Sequence, residues 1–224
     1  MNGFVVAHLI RKDLRLQRTA ILISFAAGLI ALAVVQKGGE VPVVIGSVWF
    51  FVALVVLGSM LPVSTIVNER KKQNLPFLMS LPVSSIQYTT AKMISSLMMF
   101  LLPWGALVAA ALILIVQRSF LPHGAIPMVL ILALLPLVGF CLTFSAALVG
   151  ESEGWTIAAT VICNSSYGLT WYLLARVPSL NANWSSRSVI WNSTVLLVLG
   201  IEIGVAILLI GITFFLQSRK RDFI

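Results

Sequence analysis

The chain has 224 residues, of which 59% are hydrophobic and only 10% charged, and a mean hydropathy of +1.04; it is too apolar for a soluble domain and uses lipid as its solvent. Its net charge of +8 does not point to nucleic acid, because the basic residues cluster beside apolar runs, where they orient a membrane protein and favour anionic lipid. Cys141 and Cys163 fall inside such runs with no ligand spacing around them, which reads as small buried hydrophobes rather than a disulfide or a metal site.

The N-terminus is expected not to be a secretory signal, since Arg11, Lys12, Arg15 and Arg18 separate Met1 from the first apolar run and no small-residue cleavage site follows it. Phe4 to Arg18 is amphipathic instead. At 100° per residue His8 and the four basic residues share an arc of about 120°, while Val5, Val6, Leu9, Ile10, Leu14 and Leu16 fill the rest; Phe4 and Asp13 are the exceptions. This pattern predicts an interfacial helix over residues 3–18 in the cytoplasmic headgroup layer, or a helix that leads into the first span, and the two are compatible.

Six stretches are long enough, at about 1.5 Å per helical residue, to cross a hydrocarbon core of about 30 Å: Thr19–Val35, Val43–Val67, Met93–Val116, Ala125–Val149, Trp155–Ala175 and Thr194–Leu216. The predicted fold is all-α, a polytopic bundle of six transmembrane helices forming a single transmembrane domain over residues 1–224. Eleven basic residues lie before the first span, between spans two and three, and in the tail. Only Lys37, Arg118, Arg176 and Arg187 lie on the other side, which predicts cytoplasmic N- and C-termini.

The polar segment between spans two and three, residues 68–92, is more than a loop. It opens with Glu69-Arg70-Lys71-Lys72, continues as an amphipathic stretch with Pro76 and Pro82, and ends in a helix-start signal. Ser84 and Gln87 form a capping box, and Val83 and Tyr88 occupy the hydrophobic-staple positions, so a helix is predicted to start at Ser85. The segment reads as a folded cytoplasmic element that touches another protein. Pro62, Pro103, Pro127 and Pro136 mark kinks or helix starts within the spans.

Span five carries a polar stripe: Thr156, Thr160, Cys163, Asn164, Tyr167, Thr170 and Trp171 share one face about 120° wide. That face is either a hydrogen-bonded helix contact or a surface that meets substrate, since Ser, Thr and Asn also join membrane helices. Between spans five and six, residues 176–193 include Trp184 and Trp191 and suit an extracellular interfacial or re-entrant element. Span six holds Glu202, about 12 Å below its outer end, where a charge is costly unless paired, protonated or wet. Gly200, Gly204 and Gly211 line a different face of this helix, so the glycines are expected to pack on a neighbour and Glu202 to face a cavity or another subunit.

No G-x-x-x-x-G-K-[ST] or H-E-x-x-H motif occurs, and the only histidines, His8 and His123, lie outside the spans. The chain is therefore not expected to be an enzyme or to hold a cofactor. If ATP and Mg are used, they belong to a separate subunit.

Three pieces of the sequence resemble the type-2 ABC-transporter permeases, the membrane subunits of bacterial ABC exporters: Leu9-Ile10-Arg11-Lys12-Asp13-Leu14-Arg15-Leu16 before span one, Asn68-Glu69-Arg70-Lys71-Lys72 after span two, and Leu78-Met79-Ser80-Leu81-Pro82-Val83-Ser84 leading to Tyr88 and Lys92. The resemblance implies two six-span subunits, identical or related, in a bacterial cytoplasmic membrane, bound to two cytoplasmic ABC ATPase subunits. It implies a coupling helix at Gln73–Leu81, with Gln73, Asn74, Leu75, Phe77, Leu78 and Leu81 on the ATPase, and a second contact at Glu151 and Glu153. Spans two and five would line the route, which agrees with the stripe on span five and makes Thr160, Asn164, Tyr167 and Trp171 candidate path residues; Glu202 of span six is a further candidate, with a structural hydrogen bond as its alternative role. Where many relatives have Gly-Thr or Gly-Ser, this chain reads Asn74-Leu75 or Gln73-Asn74.

The function expected is export of an amphipathic or hydrophobic drug, peptide or lipid-like molecule. An ion- or proton-coupled secondary carrier centred on Glu202 is the alternative, opposed by the lack of a second intramembrane charge and of inverted repeats. A membrane scaffold that only docks a partner is the third.

Overall fold

The computed structural model describes residues 3–67, 85–118, 121–150, 152–178, 180, 186 and 188–219, with side chains from 11 to 67 and from 89 onward. All regular structure among them is helical: α1 Gly3–Val35, α2 Glu40–Pro62, α3 Ser85–Gln117, α4 Ile126–Val149, α5 Glu153–Ala175 and α6 Ser193–Arg219. Among the described residues five segments are long and apolar enough to cross a membrane: Arg11–Val35, Glu40–Val67, Thr89–Gln117, His123–Val149 and Ser193–Arg219. The fifth predicted span does form a helix, α5, of 23 residues. It is not among those five because Thr156, Thr160, Asn164, Ser165, Ser166 and Thr170 dilute its hydropathy.

The interfacial helix expected at residues 3–18 is not a separate element. It is the first half of α1, one unbroken helix of 33 residues, about 50 Å long. The chain then reverses through Gly38 and Gly39, whose φ of 73° and 84° lie in the left-handed region that glycine adopts without a Cβ penalty. The returning α2 packs closely on α1: a Cβ added to Gly46 would lie 2.8 Å from the Ala31 carbonyl oxygen.

At its far end α2 carries Pro62, which has no N–H for the carbonyl one turn back. A π-helical turn follows, Val63–Val67, in which the Thr65 hydroxyl donates to the Leu61 carbonyl at 2.7 Å. The helix predicted to start at Ser85 does start there; the capping residues Val83 and Ser84 lie outside the described residues, as does the coupling segment from 68 to 84.

The core is built where α2, α3, α4 and α6 meet. Phe100 stacks on Phe140 with ring centroids 4.5 Å apart and planes 3° from parallel, and Phe144 continues the stack from Phe140 at 5.8 Å. Beside Pro136, which lies inside the continuous α4, Trp104 donates its indole N–H to the Ala133 carbonyl at 2.8 Å. Polar contacts join α4 to α6 as well. The Thr213 hydroxyl donates to Ser145 Oγ at 2.6 Å and the Gln217 amide donates to the Leu148 carbonyl.

The described part of the 176–193 segment is anchored. Leu180 is buried with Met128, Ile131, Leu174 and Val195, and the Gly124 N–H donates to the Ser186 carbonyl at 3.0 Å. Trp184 lies outside the described residues, and Trp191 is exposed.

The face of α6 that packs is the reverse of the one expected. Val195, Glu202, Ala206, Thr213 and Gln217 are buried, whereas Gly200, Gly204 and Gly211 are exposed with nothing within 4 Å of an added Cβ. Thr213 and Gln217 bind α4 by hydrogen bonds, and that register turns the glycines outward.

Candidate substrate cavity

A cavity of about 710 Å³ opens among the helices at the end of the bundle that carries the Gly38–Gly39 turn. Its wall is drawn from the last turns of α1 and α3, most of α2, the start of α4, and one face of α5. Phe50, Phe51 and Leu54 come from α2, Leu114 and Ile115 from α3, Val129 and Leu132 from α4. The polar groups on this apolar wall are few: Ser47, Tyr167, the Trp171 indole and Glu40, the only charged lining residue among those described. A concave, mostly apolar site with a few polar groups is the usual form of a small-molecule pocket.

Tyr167 is fixed from two sides. Its ring meets Phe51 edge-on, with centroids 5.7 Å apart and an interplanar angle of 83°, a geometry that the aromatic quadrupole favours. On the other side it lies against Gly139 of α4, so close that a Cβ there would collide with the phenol oxygen. Gly139 is thus a glycine because Tyr167 occupies the space its side chain would take.

The stripe predicted on α5 is divided by the structure. Tyr167 and Trp171 line the cavity, with Gly168 between them. Thr156 and Cys163 are buried against the bundle. Thr160 is half-buried and Asn164 exposed, and neither lines the cavity. The hydroxyls of Thr156, Thr160 and Thr170 donate to carbonyls one turn back in their own helix, at 3.2, 2.8 and 2.9 Å, so these bonds do not tie α5 to a neighbour.

Glu202 lies apart from the cavity, buried on the packed face of α6, and its Oε2 has no hydrogen-bond partner among the described residues. Of the coupling residues, Gln73, Asn74, Leu75, Phe77, Leu78, Leu81 and Glu151 lie outside the described residues. Glu153 is exposed in the first turn of α5, where a carboxylate complements the helix dipole.

One polar cluster escaped the sequence reading. Asp13 of α1 and Lys92 of α3 are both buried and form an ion pair at 2.9 Å. The available signal was one carboxylate out of place on the apolar arc of the first helix and one lysine at the start of the third span. Separately each looks like a stray charge.

The sequence matches a family model described as an ABC-2 family transporter protein over residues 8–220, and the chain belongs to that family. Neither a curated protein nor a solved structure matches it.

Proposed function

We propose that this ABC-2 family permease exports an amphipathic or hydrophobic molecule, drug-like, peptide or lipid-like, powered by ABC ATPase subunits that bind ATP and Mg. The observation that carries the reading is the apolar cavity whose wall brings Phe51 of α2 and Tyr167 and Trp171 of α5 together. In a pair of subunits, identical or related, each copy contributes such a wall to the route. All six helices span a bacterial cytoplasmic membrane with both termini inside, and the polar α5 is tolerated there because the hydroxyls of Thr156, Thr160, Ser166 and Thr170 are satisfied by carbonyls one turn back while Tyr167 and Trp171 line the cavity. Residues Gln73–Leu81, with Glu151 and Glu153, face the ATPase. The carrier reading centred on Glu202 draws less support, because that carboxylate does not line the cavity.

The test is co-purification and reconstitution with an ABC ATPase partner. ATP-dependent efflux of a hydrophobic fluorescent dye is expected from the wild-type pair. Phe77→Asp should abolish dye-stimulated ATP hydrolysis with normal membrane insertion, and Tyr167→Leu should change which dyes are exported. Efflux driven by a proton gradient without ATP would overturn the reading in favour of the carrier.

A further inference from the structure

Three elements meet at one buried ionic contact, on the side of the bundle opposite the cavity mouth. Asp13 and Lys92 are each 4% exposed and pair at 2.9 Å. The Lys92 ammonium also donates to the Thr65 carbonyl in the π-helical turn at 3.2 Å, and the Ser95 hydroxyl donates to the same Asp13 oxygen at 3.2 Å. Lys12 approaches the other carboxylate oxygen at 3.8 Å. The Thr65 carbonyl belongs to the π-helical turn Val63–Val67 that follows Pro62, and the ammonium that reaches it is a charge-assisted donor.

Apolar side chains of similar volume would hold these helices together at least as well, because burying two charges costs desolvation that their attraction only partly offsets. What the pair adds is a penalty for separation: moving one partner away leaves an uncompensated buried charge, so α1, the turn after α2 and the start of α3 are held together in one register. The two flanks of the chain between Val67 and Ser85 are thereby tied to each other through the Lys92 ammonium, which also holds the Asp13 carboxylate.

We infer that Asp13 and Lys92 are positioning residues for energy coupling: their ion pair, with the Thr65 carbonyl and Ser95, makes a rigid joint that relays movement at the ATPase-facing segment into α1 and α2. This rests on the permease reading, which assigns the segment between those flanks to the ATPase.

The joint is tested in the reconstituted complex by comparing basal with dye-stimulated ATP hydrolysis, and in the chain alone by thermal melting. Asp13→Asn and Lys92→Met should each lower the ratio of stimulated to basal hydrolysis about tenfold, the scale of an energetic coupling between sites, with the basal rate unchanged. The exchange Asp13→Lys with Lys92→Asp should fail to restore that ratio, because a carboxylate at position 92 has no proton to donate to the Thr65 carbonyl. Ser95→Ala removes one donor without unpairing a charge, so it keeps the fold and should give a smaller loss of about threefold. An unchanged ratio in Ser95→Ala and in the single variants, or a lowered melting temperature with the ratio intact, overturns the inference. If the wild-type complex shows no stimulated hydrolysis, the permease reading fails and takes this one with it.

Discussion

Replacing Gly139 by Ala tests the wall of the cavity directly. The added methyl would overlap the Tyr167 hydroxyl, while the next ring atom, Cζ, lies 3.1 Å from the new carbon and Cε1 lies 3.7 Å from it. The hydroxyl therefore accounts for nearly all of the clash. In the wild-type background the ring must turn off its rotamer or α5 must move from α4, an overpacking cost of about 1–3 kcal/mol. With Tyr167→Phe in place the nearest atom is an ordinary ring carbon a few tenths of an ångström too close, and the cost of Gly139→Ala should fall below about 1 kcal/mol. Melting in detergent reads the difference, at about 2–4 °C per kcal/mol for a chain of this size. Dye export should follow the same order, because a displaced ring also loses its edge-on contact with Phe51. Equal destabilisation by Gly139→Ala in the Tyr and Phe backgrounds would refute the contact and the cavity wall built on it.

Two further outcomes follow from α6. Glu202→Gln keeps the shape of the side chain and removes the charge; dye export should be unchanged, and Glu202→Leu should be neutral or stabilising in melts, because an unpartnered buried oxygen costs about 1–3 kcal/mol. Loss of export in both variants would move the function to the carboxylate. Gly204→Ala, facing open space, should raise the stability of the isolated chain by about 0.5–1 kcal/mol through helix propensity, and a fall in its melting temperature would show that this face is packed after all.

The helices were legible in the sequence because apolar runs of sufficient length have few alternatives, and the start of α3 at Ser85 was legible from chemistry confined to a few neighbouring residues. The stripe on α5 was half legible. Periodicity assigned Tyr167, Trp171, Thr160 and Asn164 to one face, but a face about 120° wide spans both a cavity wall and a more exposed edge, and only the neighbouring α2 and α4 divide it. On α6 the sequence misled. Lipid-facing and protein-facing residues are both mostly apolar in a membrane helix, so the glycines pointed to one face; the better signal was the opposite arc of Glu202, Thr213 and Gln217, whose hydrogen bonds to α4 from Thr213 and Gln217 overrode the glycines. The Asp13–Lys92 pair was invisible for a different reason: its partners are 79 residues apart in sequence, and nothing local announces that two isolated charges cancel.

The continuity of α1 has a mechanical consequence. Asp13, at the ionic joint, and Val35, on the cavity wall, belong to one helix without a break and lie about 33 Å apart along its axis. A stiff rod of that length converts small rotations into large excursions, so a tilt of about 5° at the Asp13 end displaces Val35 by about 3 Å. Between them Gly28 lies against Leu107, so close that an added Cβ would be 2.8 Å from its methyl groups. A bulkier residue at position 28 would press α1 away from α3 partway along the rod and so change the tilt that reaches Val35.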